Sequence, residues 1–109
     1  MSDKYRPDGS PYPEGDEGLF EWAKDIEDNS KRLLRQETLP NGIRLSTVWL
    51  GLDHRFGKGP PLIFETMAFQ DGDEILCERY STRTEALDGH ERLKKTLLER
   101  GKGEDLEAR

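Results

Sequence analysis

The chain has 109 residues, 37% of them charged and only 32% apolar, with 17 Lys and Arg against 23 Asp and Glu for a net charge of −6. That length holds one domain, and so small a core is marginal alone, which makes packing on a second copy one remedy. No Lys/Arg cluster outweighs its acidic neighbours, which argues against general nucleic-acid binding and leaves room only for a local anion pocket.

Cys77 is the only cysteine, so an intrachain disulfide is ruled out and a reducing compartment fits. The first residues lack the apolar centre of a signal peptide. No apolar run approaches the roughly 20 residues of a membrane span. The expectation is a soluble cytoplasmic protein with no membrane contact.

Residues 1–17 are rich in glycine, proline and acids and read as an irregular arm, whose Tyr5 and Tyr12 can dock on the body. Residues 18–29 place Leu19, Trp22, Ala23 and Ile26 at helical spacing. Trp22 reads as an anchor between helix and sheet rather than a stacking platform. A charged edge strand is predicted from Arg32 to Leu39, then a hairpin at Asn41-Gly42.

Ile43 to Leu52 is the predicted central strand. It is apolar on both sides, with Ile43, Leu45 and Trp49 on one and Val48, Leu50 and Leu52 on the other. A strand apolar on both sides is covered twice. The helices supply one cover, and a second subunit is expected on Ile43, Leu45 and Trp49. Residues 53–61 make a connection longer than the usual hairpin loop. Strands follow at 62–69 and 74–80, separated by Asp71-Gly72-Asp73.

Thr82 and Glu85 form a capping box, and a helix is predicted from there to about Arg100, with Gly101 as its stop. Its stripe is Ala86, His90, Leu93 and Leu97, with Leu98 alongside. Residues 102–109 read as a frayed tail. The fold expected for residues 18–101 is α+β, a four-stranded antiparallel meander with a short N-terminal and a long C-terminal helix on one face.

Asp53-His54 at a strand end is an acid–base candidate, although such dipeptides more often just shape a turn. Gly57-Lys58-Gly59 lacks the helix that follows a P-loop. Arg55, Lys58 and the glycine N–H groups still suit a small anion. Arg79 suits a phosphate or carboxylate, but a pair with Glu65 across the sheet is preferred. His90, His54 and Cys77 show no zinc spacing, so no metal is expected. His90 reads as a core or interface histidine. Cys77 reads as a buried residue rather than a nucleophile.

Three segments also carry a resemblance: Thr47-Val-Trp-Leu-Gly-Leu-Asp-His54, Pro61-Leu-Ile-Phe-Glu-Thr-Met-Ala-Phe69, and Arg79-Tyr-Ser-Thr82 with Gly89-His90. Over about residues 5–95 the chain resembles a family of small proteins encoded in tailed-bacteriophage and prophage genomes. Ala68 stands where that pattern has Val, and Asp88 where it has Ala or Gly. The resemblance implies expression in the host cytoplasm during infection and brings no activity with it.

The leading expectation is therefore a non-enzymatic accessory protein, homo-oligomeric, that binds a host protein or small anionic ligand, with counter-defence the most attractive version. Its ligand residues would be Asp53, His54, Arg55, Lys58, Arg79 and Tyr80, with no cofactor. The competing readings are a small nucleotide or phosphoester enzyme using Asp53, His54, Glu65 and Arg79, and a virion-associated structural part.

Overall fold

A computed structural model describes the backbone of residues 3–107 and the side chains of residues 3–99. Helix α1 (Asp16–Ile26) and the single turn α2 (Asn29–Arg32) precede four strands, β1 (Leu33–Thr38), β2 (Arg44–Trp49), β3 (Phe64–Gln70) and β4 (Asp73–Tyr80), and helix α3 (Arg83–Glu107) closes the order. The strands form one antiparallel sheet in sequence order, with β1 and β4 at its edges. This is the predicted α+β meander. Among the described residues no helix is long and apolar enough to cross a membrane.

Local chemistry sets the element ends. Asp28 accepts from Ser30 N at 3.0 Å and so starts a new turn, α2, where a single helix was predicted to finish. The capping box is complete: Glu85 N donates to Thr82 Oγ1, and Thr82 N donates to Glu85 Oε1, both at 3.1 Å. Gly101 does not stop α3, which runs on to Glu107. A glycine inside a helix costs about 1 kcal/mol, too little to end one rich in Lys, Glu and Leu. Of the predicted tail, residues 108–109 lie outside the described residues.

The helices cover one face of the sheet. On it the row Trp49–Phe64–Tyr80 lies under the arm and the start of α3, and the row Leu45–Ala68–Leu76 lies under the region of Leu97. Ile43, Leu45 and Trp49 are 5%, 0% and 1% exposed. The side expected to receive a second subunit is thus the side this chain covers itself. Burying such side chains stabilises the fold by roughly 1.5–3 kcal/mol each, and none is left for a partner.

The arm is tied down rather than loose. Trp49 Nε1 donates to Tyr5 O at 3.0 Å, and Trp22 Nε1 donates to Gly51 O at 3.1 Å, which makes Trp22 the anchor its spacing suggested. Buried Tyr12 donates to Asp25 Oδ2 at 2.8 Å, and Lys31 reaches Oδ1 at 2.6 Å. The Lys31 bond first, and the Tyr12 bond with it, hold the Asp25 carboxyl below its usual range. Gly18 lies so close beneath the arm that a Cβ there would come within 1.7 Å of the Pro13 carbonyl oxygen. Leu19, assigned to the apolar side of α1, is half exposed, and its neighbour Phe20 is 71% exposed.

The opposite face of the sheet is open. The register puts three cross-strand rows on it: Leu33–Val48–Glu65–Arg79, Gln36–Ser46–Met67–Cys77 and Thr38–Arg44–Phe69–Glu74. No helix of the described chain packs on these rows. Arg44 stacks on the Phe69 ring at 4.6 Å, and Arg79 pairs with Glu65.

Candidate functional site

The 53–61 connection is held by its own first residue. Asp53 Oδ1 accepts from Arg55 N at 2.9 Å and Leu62 N at 3.0 Å, and Oδ2 pairs with Arg55 Nε at 2.8 Å. Burial opposes ionisation of Asp53, but the two N–H donors and the Arg55 guanidinium outweigh it and lower the carboxyl below its ordinary value. Arg55 also donates to the Gly59 carbonyl. His54 is half buried, and its backbone N–H donates to Leu62 O at 3.0 Å. Lys58 is exposed near the tip, beside Phe56 at 93% exposure. Of the loop residues proposed as ligands, Asp53 and Arg55 therefore shape the loop, as the plain turn reading holds.

Arg79 and Tyr80, adjacent in sequence, point to opposite faces of β4. On the open face Arg79 Nε donates to Glu65 Oε2 at 3.0 Å, the preferred ion pair, and Cys77 Sγ approaches the same oxygen at 3.4 Å. Cys77, expected to be buried, is exposed at the edge of the sheet, yet desolvation of its thiol, and then Glu65, push it up to about 11, so it is a poor nucleophile at neutral pH. On the covered face Tyr80 presses against α3 at Gly89, where a Cβ would fall within 2.3 Å of the Tyr80 hydroxyl. That hydroxyl is buried without a well-formed hydrogen bond, and burial pushes it up to about 12.

Between the end of β4 and the first half of α3 lies an open cleft of about 560 Å³, lined among others by Arg79, Tyr80, Glu85, Asp88, Gly89 and Arg92. This is within the usual size of small-molecule sites. Arg92 pairs with Glu78 at its rim. Glu85 is engaged in the capping box, which leaves Asp88 as an uncommitted carboxylate in the cleft. Of the six predicted ligand residues, only Arg79 and Tyr80 line it. Leu62, also in the lining, connects it to the base of the loop through the His54 N–H.

A second cluster was only half legible. His90 is fully buried: Nε2 lies 2.7 Å from Glu37 Oε2, and Nδ1 lies 2.7 Å from Thr47 Oγ1, which is 2.5 Å from Thr66 Oγ1. In the neutral ring, Nε2–H donates to Glu37 and Nδ1 accepts from Thr47. The chain of hydroxyls is thereby oriented by one carboxylate. The His90 bond first, and then Lys94, keep the Glu37 carboxyl below its usual range. The order carboxylate–imidazole–hydroxyl is that of a nucleophilic triad. Thr47, Thr66 and His90 are each 0% exposed, however, so no substrate reaches the hydroxyl.

The stripe of α3 showed that His90 faces the core. No local pattern could show that Glu37, 53 residues away, meets it. Ligand atoms of Glu37, His90 and Glu91 also lie within 4.8 Å of one another, an arrangement a cation could use. Lys94 and Arg35 already neutralise the two carboxylates.

The four residues of the enzyme reading fall into two sets. Asp53 serves the loop and Glu65 serves Arg79 and Cys77, and among the described residues no hydrogen bond or ion pair joins the sets. Comparison of the chain with protein-family models, with curated proteins and with solved structures gives no match.

Proposed function

We propose that this chain works by binding rather than by catalysis, as a phage-type accessory protein in the host cytoplasm that holds a small ligand in the cleft between β4 and α3. The observation that carries this reading is the cleft itself, about 560 Å³ in volume, with Arg92 and Asp88 beside a buried tyrosine whose hydroxyl lacks a good partner and with Arg79, bonded to Glu65, at its edge. Convergent polar groups in a concave site are what orient a small molecule. Arg92 suits a phosphate or carboxylate, and Asp88 suits an amine or ring N–H. A nucleotide carries both, and sequestering one would serve counter-defence.

The enzyme reading has less support. It needs a hydroxyl, carboxylate or imidazole that is both activated and reachable. Among the described residues the carboxylate–imidazole–hydroxyl relay at His90 is sealed, and Asp53 and Glu65 serve internal partners. A virion-associated role is separated from both by mass spectrometry of purified particles.

The test is a thermal-shift screen of the intact chain with mononucleotides and cyclic nucleotides, repeated on Arg92→Ala and Asp88→Ala. A ligand at about a hundred times its dissociation constant adds about 2.7 kcal/mol of stability. That shift should appear with the parent chain and shrink in both variants. A parent chain with no shift at millimolar ligand overturns the reading.

A further inference from the structure

The open sheet face asks for an occupant, and its charge pattern identifies one. The chain as a whole carries −6, yet the three open rows hold Arg44 and Arg79 against Glu65 and Glu74 and are neutral. The acidic excess lies elsewhere, so two copies can meet here without stacking like charges. The central row, Gln36–Ser46–Met67–Cys77, carries no charge.

We propose that a second copy of this chain covers the open face, sheet against sheet, about a twofold axis that crosses the strands along the central row. Such an axis lays β4 on the partner's β4 and exchanges the two outer rows. Glu74 then faces the partner subunit's Arg79, and Arg79 faces the partner subunit's Glu74. Arg44 comes diagonally opposite the partner subunit's Glu65, and Met67 meets the partner subunit's Met67. An isologous contact of this kind satisfies every charge on the face twice over.

Its size is sufficient. Four strands about 4.8 Å apart and about six residues long at roughly 3.3 Å each give a footprint near 400 Å². Side-chain relief raises this to on the order of 600 Å² of accessible surface per copy, at the lower end of specific interfaces. The expected pair is therefore reversible, with a dissociation constant in the micromolar range. It shares Arg79 with the lining of the ligand cleft but not Glu74, so Glu74→Arg tests the contact without touching that lining.

Sedimentation velocity of the full chain from about 1 to about 100 µM should show monomer passing into dimer. Met67→Lys puts two ammonium groups face to face and should leave only monomer, with the circular-dichroism melt confirming the fold. Ser46→Arg does the same from a half-exposed polar position, should Met67→Lys fail to fold. The decisive arm uses charge. Glu74→Arg alone and Arg79→Glu alone should each weaken the dimer about tenfold, because like charges then face each other. Mixing the two variants should restore a heterodimer, since each altered side chain meets its opposite. A chain that stays monomeric throughout overturns the proposal. So does a dimer indifferent to Met67→Lys and Ser46→Arg, or a mixture that associates no better than the single variants.

Discussion

The two faces of the one sheet are built on different terms. On the covered face Trp49, Phe64 and Leu45 are at most 1% exposed, and the polar groups among them are joined into a chain from Glu37 through His90 and Thr47 to Thr66. On the open face apolar, polar and charged residues are mixed, and the ion pair Glu65–Arg79 joins a nearly buried carboxylate to a partly exposed guanidinium. The covered face holds the fold, because a buried polar group without its partner is expensive. The open face is free to vary in service of a contact. It also follows that a histidine on a helix stripe and a histidine in a loop play different parts here: His90 cross-links three elements, while His54 contributes mainly its backbone N–H.

Substitutions can break that contrast in graded steps. Trp49→Ala should be the largest, about 3–5 kcal/mol in urea unfolding, because it empties the centre of the first core cluster and frees Tyr5 O. Gly89→Ala should follow at about 1–3 kcal/mol, since the new methyl must displace the Tyr80 ring. It should also narrow the cleft, so ligand binding and stability would fall together.

The acid limb of stability sharpens the role of the polar chain. Glu37 has a folded value below its unfolded one, so it stabilises the protein above the unfolded carboxylate value, about 4.3, and that contribution is lost as pH falls through the depressed folded value. Asp25 and Asp53 act in the same direction. Glu37→Gln should flatten the stability profile below about pH 5 relative to the parent chain, followed by thermal melts across that range. The smallest effects belong to the surface. Phe56→Ser at the loop tip and Gln36→Ala on the open face should each change monomer stability by less than about 0.5 kcal/mol. A larger loss at Gln36 would show that the open face already supports the monomer.

Much of this was legible in local patterns. The hairpin at Asn41-Gly42, the capping box of Thr82 and Glu85, the α3 stripe and the order of the strands each rest on residues within a few positions of one another. The pair Glu65–Arg79 is suggested by its charges, but the Asp71-Gly72 turn alone would set Glu65 against Glu78; the extra residue Ile75, where the register shifts between Ala68 and Phe69, is what brings Arg79 opposite Glu65. Strand alternation separated Ile43, Leu45 and Trp49 from Val48, as the register confirms. Which of the two sides the helices would take was not in the alternation, because both sides are apolar enough to be covered. The choice fell to the route of the arm and α3 across the sheet.

The same limit applies to the site. Composition could nominate the glycine-rich loop, but only tertiary structure could show Asp53 turned inward to hold it, or bring Arg79 and Tyr80 of β4 beside Asp88 and Arg92 of α3 in one cleft. Sequence by itself determined the elements and their pairing, since those depend on propensity, periodicity and turn chemistry between near neighbours. The tertiary structure alone decided which face is sealed, which histidine is a cross-link and where a cavity opens. Those depend on contacts such as Glu37–His90 between residues far apart along the chain, and no local pattern encodes them.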